Sequence, residues 1–516
     1  MEMLRDENWV LSVGTFLPML GVIALLVVPK TDAKLIKLVA LITSIATVVV
    51  GLYTLVKFDY QQAGTMQFVA QTNWISVIKS TYFIGMDGIS LPLYFLSMVI
   101  TLAVVIYSWN NIPAPGNPKA FFILILVLQV GMAGTFIAQD LILFFVFFEL
   151  VLLPMYFMIG VWGGAQRQYA SMKFFLYTMF GSALMLVAFL AVFFKTGAES
   201  FSIPYLVEHG GAIAKNVQIW IFAGMFIGFA VKVPMFPFHT WLPDAHTEAP
   251  TQGSVILAAI LLKLGTYGFV RIAIPILPTA ARQWAPYIGA LAVVGIIYGA
   301  LGCLAQTDMK RLIAFSSVAH MGFVMLGIST LTSFGVNAAV YGMVAHGLIT
   351  GMLFFIAGSM KERYHTLEIS RLGGLLVQMP HLGWILGFAS MASLGLPGLA
   401  GFWGEFPAIL SAYSPAAGLN HNVFRVYMVV AAIGTVLAAS YLLWLFQRVA
   451  FGEPKAEFAK SGSNGADHHA FEDVTSIEWI AWTPLLVAIL VFGVMPNLLF
   501  KVIDPAVQGV LRAFGG

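Results

Sequence analysis

Charge is scarce in this chain. Only 9% of its 516 residues are Asp, Glu, Lys or Arg, where soluble domains carry roughly 25%. A fold facing water on every side cannot clothe itself with so few charges, whereas a surface facing lipid tails has no need of them. Cysteine is scarcer still. Cys303 stands alone in an apolar run, so disulfide frameworks, cysteine-ligated zinc and iron–sulfur clusters are excluded. The net charge of +3 holds no basic cluster of the kind nucleic acid requires. No glycine-rich phosphate loop follows a strand-like segment, so no nucleotide cofactor is expected in this chain. Met1–Trp9 lacks a basic stretch and a small-residue cleavage site, which reads as a retained first helix rather than a removed signal peptide.

What is abundant is apolar side chain, 60% of the total. Reading for runs able to cross ~30 Å of hydrocarbon gives about fourteen, each of ~20 residues. The fold class is therefore an all-α polytopic membrane protein. Among the predicted spans, the third covers Tyr82–Trp109, the seventh Val217–Phe238, the twelfth His381–Ala412 and the last Ile477–Phe500. Pro234 and Pro397 fall inside the seventh and twelfth. Proline removes a backbone donor, so both spans are expected to be broken, as helices lining ion pathways often are. The two breaks lie five spans apart. That spacing predicts two inverted five-helix repeats, spans 4–8 and 9–13. The implied organisation is a three-helix segment over 1–118, one repeat over 119–282, a second over 283–450, and a polar loop with a final span over 451–516. Lysine and arginine outside the runs (Lys30, Lys310, Lys361 and Arg371 among them) weigh toward both termini on the outer side.

An ionised group at the bilayer centre costs ~2.5–3.5 kcal/mol on insertion scales. Glu149, Lys232, Lys263 and Glu405 nonetheless lie within otherwise apolar runs, two acids and two bases on four helices. Structural ion pairs are one explanation, but a bundle can be held by small residues and hydroxyls at lower cost. Histidines extend the pattern: His320 shares a helix face with Ser316 and Ser317, and His346 with Thr350. Imidazole can both take and give a proton, though a lone membrane histidine can equally serve as a hydrogen bond between helices. His468 and His469, in a Gly/Ser-rich loop, read as solvated, and no metal site is expected.

The stretch FHTWLPDAHTEAPT (Phe238–Thr251) resembles the antiporter-like membrane subunits of NADH–quinone oxidoreductase (respiratory complex I), and their relatives in cation/proton antiporters and membrane-bound hydrogenases. MDGISLPL from Met86, FFELVLLPMYFMIGVWG from Phe147, LKLGTYGFVR from Leu262 and TDMKRLIAFSSVAHMG from Thr307 support it. The resemblance implies a proton-translocation role for Glu149, Lys232, Lys263, His320, His346 and Glu405. Glu405 stands where two sister subunits carry lysine, and the chain ends soon after its last span, without the long lateral helix of one of them. The resemblance also implies partners: other subunits of complex I, especially the sister membrane subunits, together with membrane lipids. NADH, FMN, iron–sulfur clusters and quinone would belong to those partners, with none held in this chain. The expected location is a bacterial inner (plasma) membrane. Two alternatives stand beside this reading, a cation/proton antiporter or hydrogenase subunit and a non-pumping scaffold.

Overall fold

A computed structural model describes residues 7–458 and 471–514; His468 and His469 lie outside them. Among the described residues, twelve helices are long and apolar enough to cross a membrane. In chain order they are α1 (Val10–Val27), α2 (Ala33–Lys57), α3 (Ser90–Tyr107), α4 (Pro118–Ile137), α5 (Leu141–Trp162) and α6 (Arg167–Lys195). After a short α7 (Ile203–Gly210) comes a broken pair, α8 (Lys215–Lys232) and α9 (Trp241–Glu248). Then follow α10 (Thr251–Ile276), α11 (Pro278–Leu304), α12 (Met309–Ser329) and α13 (Ser333–Tyr364). A second broken pair is α14 (Pro380–Ser393) with α15 (Ala400–Ser411). The chain closes with α16 (His421–Ala450), α17 (Ser476–Val494) and α18 (Asn497–Val510).

Polar residues set the helix starts. Asp140 accepts from the amides of Ile142 and Leu143, Asp308 from Arg311, and Thr332 from Gly335. Thr475 and Glu478 form a reciprocal capping box on α17. Each satisfies donors that a helix N-terminus leaves unpaired. Burial then sorts the bundle. α10 is buried from Gln252 to its end, α13 from Gly335 to Met360 and α12 over most of its length, whereas α2, α6, α16 and α17 present most of their surface outward. The three interior helices carry Lys263, His320 and His346.

Three sequence expectations need correction. The third predicted span began at Tyr82, but Ser80–Met86 (β2) is a strand, paired antiparallel with Gln67–Ile75 (β1). Aromatic and β-branched residues favour the strand. The helix starts only where Asp87 accepts from the amides of Ile89 and Ser90. The seventh and twelfth runs are broken as expected, each into two helical pieces. The last run, predicted to Phe500, ends at Val494; α18 beyond it is a separate amphipathic helix that buries Leu499, Ile503, Ala506 and Val507, one face at helical spacing. Finally, Lys310 is no solvated loop charge. It is 3% exposed on α12, and its ammonium donates to the Ala249 carbonyl, so it carries little weight in an orientation rule built on exposed flanks.

Candidate proton-relay site

A proline accounts for the first break and a pair of glycines for the second. In α8, Pro234 has no N–H for the Ala230 carbonyl, which instead accepts from Met235 at 2.9 Å. That shift frees the Val231 carbonyl, and the Trp241 indole fills it at 2.9 Å. In the second break, Gly395 (φ +81°) and Gly398 (φ +93°) take the left-handed turns that swing the chain from α14 into α15. Each break lies close to a charged residue: Lys232 is the last residue of α8, and a Cβ on Gly395 would stand 3.3 Å from the carboxylate of Glu405, which lies in the middle of α15.

Lys232 and Glu149 occupy one region. Pro154 leaves the Leu150 carbonyl without its helical donor, and α5 is interrupted at Val151, just after Glu149. Ser182 of α6 donates to the Glu149 carboxylate. Lys232 is 1% exposed, with its ammonium 4.8 Å above the centre of the Phe148 ring. Among the described residues it has no hydrogen-bond partner and forms no salt bridge. A cation over an aromatic face gains electrostatic attraction without an ion pair. α8 is seated directly on the helix of Lys263: a Cβ on Gly265 would stand 2.7 Å from the Phe229 carbonyl oxygen and 3.1 Å from the Lys232 Cβ.

The other four predicted residues meet in one chain of contacts. Leu257–Leu261 of α10 is a π-helical stretch, a widening frequent at functional sites. Just past it, the Lys263 ammonium donates to the Ala258 carbonyl at 2.5 Å and meets His346 Nδ1 at 2.6 Å. The rings of His346 and His320 lie 5.9 Å apart, centre to centre. His320 Nδ1 meets Glu405 Oε1 at 2.5 Å; its Nε2 faces the Ser393 hydroxyl at 3.1 Å and the Tyr441 hydroxyl at 3.3 Å. Between the two histidines and Glu405 lies a cavity of about 20 Å³, walled partly by Gly342, Gly401 and Gly404. That volume is room for a single water molecule. Glycine is needed in this wall, since a Cβ on Gly404 would come within 2.6 Å of the Gly342 Cα.

Sequence reasoning missed three buried groups. Arg271, in a second π-helical stretch of α10, pairs with Asp87 at 2.5 Å, and Ser90 and Tyr267 complete the cluster. His246 is fully buried, stacked on Phe354 at 4.3 Å, with both ring nitrogens lacking hydrogen-bond partners among the described residues. Lys310 is the third. Asp87, Arg271 and His246 lie within the quoted motifs but at the ends of apolar runs, where charge is cheap and attracts no notice. Asp244 of the same motif is a tie, pairing with Lys173 of α6 at 2.7 Å and Arg311 of α12 at 3.4 Å.

Comparison with known proteins agrees with this architecture. The family described as "NADH:quinone oxidoreductase/Mrp antiporter, TM" matches residues 138–437, a range holding all six predicted site residues. The chain is 40% identical over 508 residues to NADH-quinone oxidoreductase subunit M of Rickettsia prowazekii (strain Madrid E), covering 98% of this chain and 99% of that one. It is 41% identical over 521 residues to the subunit M of Rhodobacter capsulatus, covering 98% and 96%. A chain of respiratory complex I from Thermus thermophilus with bound NADH superimposes with a TM-score of 0.85 at 28% identity, over 98% of this chain and 100% of that one. A polytopic helical protein with its buried charges on broken and interior helices, this chain belongs to the NADH:quinone oxidoreductase/Mrp antiporter family of membrane subunits.

Proposed function

We propose that this chain is a proton-translocating membrane-arm subunit of NADH–quinone oxidoreductase, seated in a bacterial inner membrane beside its sister antiporter-like subunits. Protons pass along Lys263, His346, His320 and Glu405, with Glu149 and Lys232 as the controlling pair. The observation that carries this reading is the run of buried groups from Lys263 Nζ to Glu405, with hydrogen bonds of 2.6 and 2.5 Å at its two ends. Every group in it can exchange a proton, and the one gap, between the histidine rings, adjoins a cavity of water size. NADH, FMN, iron–sulfur clusters and quinone belong to partner subunits, which supply the driving energy. Residues 119–282 and 283–450 act as the two inverted repeats, each contributing one broken helix, and both termini face outward.

Energetics require the groups to act in sequence. A Lys–Glu interaction at ~6 Å and an effective dielectric of ~20 is worth ~2.8 kcal/mol, and half that at ~12 Å. A proton moved against ~150 mV needs ~3.5 kcal/mol. A change at the Glu149–Lys232 pair alone falls short, so the shift must propagate to Lys263 and onward. The tight seat of α8 on α10 at Gly265 gives that propagation a mechanical route.

The test uses the whole complex in proteoliposomes. Glu149→Gln is expected to slow NADH-driven pumping about tenfold, the loss of roughly 1.4 kcal/mol of control energy. Electron transfer to an artificial acceptor, which reports assembly, should persist. Pumping should also be the same in sodium and in potassium media. Full pumping by assembled Glu149→Gln removes that residue from the mechanism, and a sodium requirement favours the antiporter alternative.

A further inference from the structure

The helix that carries Glu405 is short and cut loose. α15 is 12 residues long, and the non-helical Leu394–Leu399 separates it from α14, so continuing backbone does not set its direction. The Glu405–His320 bond is nevertheless directional and short, and such a bond weakens steeply when its angle opens. Something outside α15 must hold it.

The C-terminal end of α17 meets that need. A helix end leaves carbonyls without partners. Two of those on α17 are taken by side chains from the relay-bearing helices. The Tyr341 hydroxyl of α13 donates to the Phe492 carbonyl at 2.6 Å, and the Trp403 indole of α15 donates to the Gly493 carbonyl at 2.8 Å. Tyr341 lies on the helix of His346; Trp403 lies two residues before Glu405. Gly493 also sits against the break itself, since a Cβ there would overlap the Gly398 carbonyl oxygen. The anchor is fixed from below. In α18, Asp504 accepts from the Asn337 amide of α13 at 2.5 Å, and Phe500 stacks on Tyr341 at 4.7 Å.

We infer that Trp403, bonded to the end of α17, is a positioning residue that holds Glu405 on His320, and that α17 and α18 form the clamp through which α13 and α15 keep their register. This rests on the proposed relay. Among the described residues the Trp403 indole donates to the Gly493 carbonyl and to no relay group; it acts by fixing the direction of α15.

The experiment uses the full complex in proteoliposomes with Trp403→Phe, which keeps an aromatic ring and removes the indole donor. Three readouts are taken: electron transfer to an artificial acceptor, NADH-driven pumping, and the infrared bands of Glu405, identified as those lost in Glu405→Gln. Assembled Trp403→Phe is expected to show displaced Glu405 bands and pumping about fivefold slower, the change that loss of one typical hydrogen bond produces. Unmoved bands with full pumping overturn the inference. Should Trp403→Phe fail to assemble, Tyr341→Phe removes the other bond of the clamp; displaced Glu405 bands support the clamp and unmoved bands overturn it. Full pumping in Glu405→Gln overturns the relay and the clamp together. Lost pumping there, beside a silent Trp403→Phe, overturns the clamp alone.

Discussion

Lys263→Met is expected to leave an assembled complex that pumps no protons. Methionine is unbranched and flexible, so it fills the volume of the lysine stem without forcing a rotamer. Two partners are lost, the Ala258 carbonyl and His346 Nδ1. Each orphaned buried group costs ~1–3 kcal/mol. Against that, the protein no longer buries an ammonium group, which on insertion scales costs about as much. Folding stability should change little. Proton transfer is different, because it needs groups within hydrogen-bond reach, ~2.6–3.2 Å, and a thioether neither takes nor gives a proton. Pumping should fall at least ~100-fold, since the relay would have to restart across an apolar gap. Lys263→Arg separates charge from proton exchange. Guanidinium keeps the positive charge but does not release its proton in proteins, so this variant should be inactive as well. Pumping near the wild-type rate in Lys263→Arg would mean that Lys263 serves as a fixed charge, and residual pumping above about a tenth in Lys263→Met would remove it from the path.

The membrane class, the two interruptions and the helices that carry the buried charges were legible in sequence because each follows from a local rule. Apolar length marks a span, proline marks a break, and a charge within an apolar run marks a site. Lys263 and His346, far apart in the chain, could be nominated for this reason, but their 2.6 Å contact could not. It depends on the π-helical widening at Leu257–Leu261, for which the stretch LAAIL carries no signal. The same limit explains the residues that were overlooked. Arg271 and Asp87 lie where runs end, and Lys310 follows Asp308 in what reads as a polar turn; only packing shows that all three are buried. The β1–β2 hairpin was lost because Tyr82, Phe83 and Ile84 count toward an apolar window whether strand or helix. The clamp at Gly493 was invisible for a simpler reason: a glycine near the end of the last span has no chemistry of its own until another backbone is found against it.

The second large effect is structural and concerns Asp87–Arg271. Both side chains are nearly sealed, 3% and 6% exposed, at 2.5 Å. Arg271 also donates to the Tyr267 hydroxyl at 3.2 Å, and that hydroxyl donates to the Phe136 carbonyl of α4 at 2.7 Å. The cluster fastens the far half of α10 to the start of α3 and to α4, and the π-helical stretch just before Lys263 lies outside the part so fastened. Removing one member of a buried pair strands the other charge, at a cost of about 3–5 kcal/mol. The two single variants should not be equal. Asp87→Ala leaves the guanidinium with only hydroxyl partners and also removes the acceptor for the amides of Ile89 and Ser90. Arg271→Met leaves a carboxylate that those two amides still serve, so its loss should be smaller. The double variant Asp87→Ala with Arg271→Met carries no stranded charge. It should recover part of the deficit, giving a coupling of about 1–3 kcal/mol between the two sites. Thermal unfolding of the assembled complex, followed for all three variants, measures that coupling. Additive losses would mean that each residue acts through its other bonds and that α10 is held by hydroxyl contacts alone. A rescued double variant that also pumps would separate the anchor from the relay, because no proton needs to pass through a pair whose only work is to hold one half of α10 still.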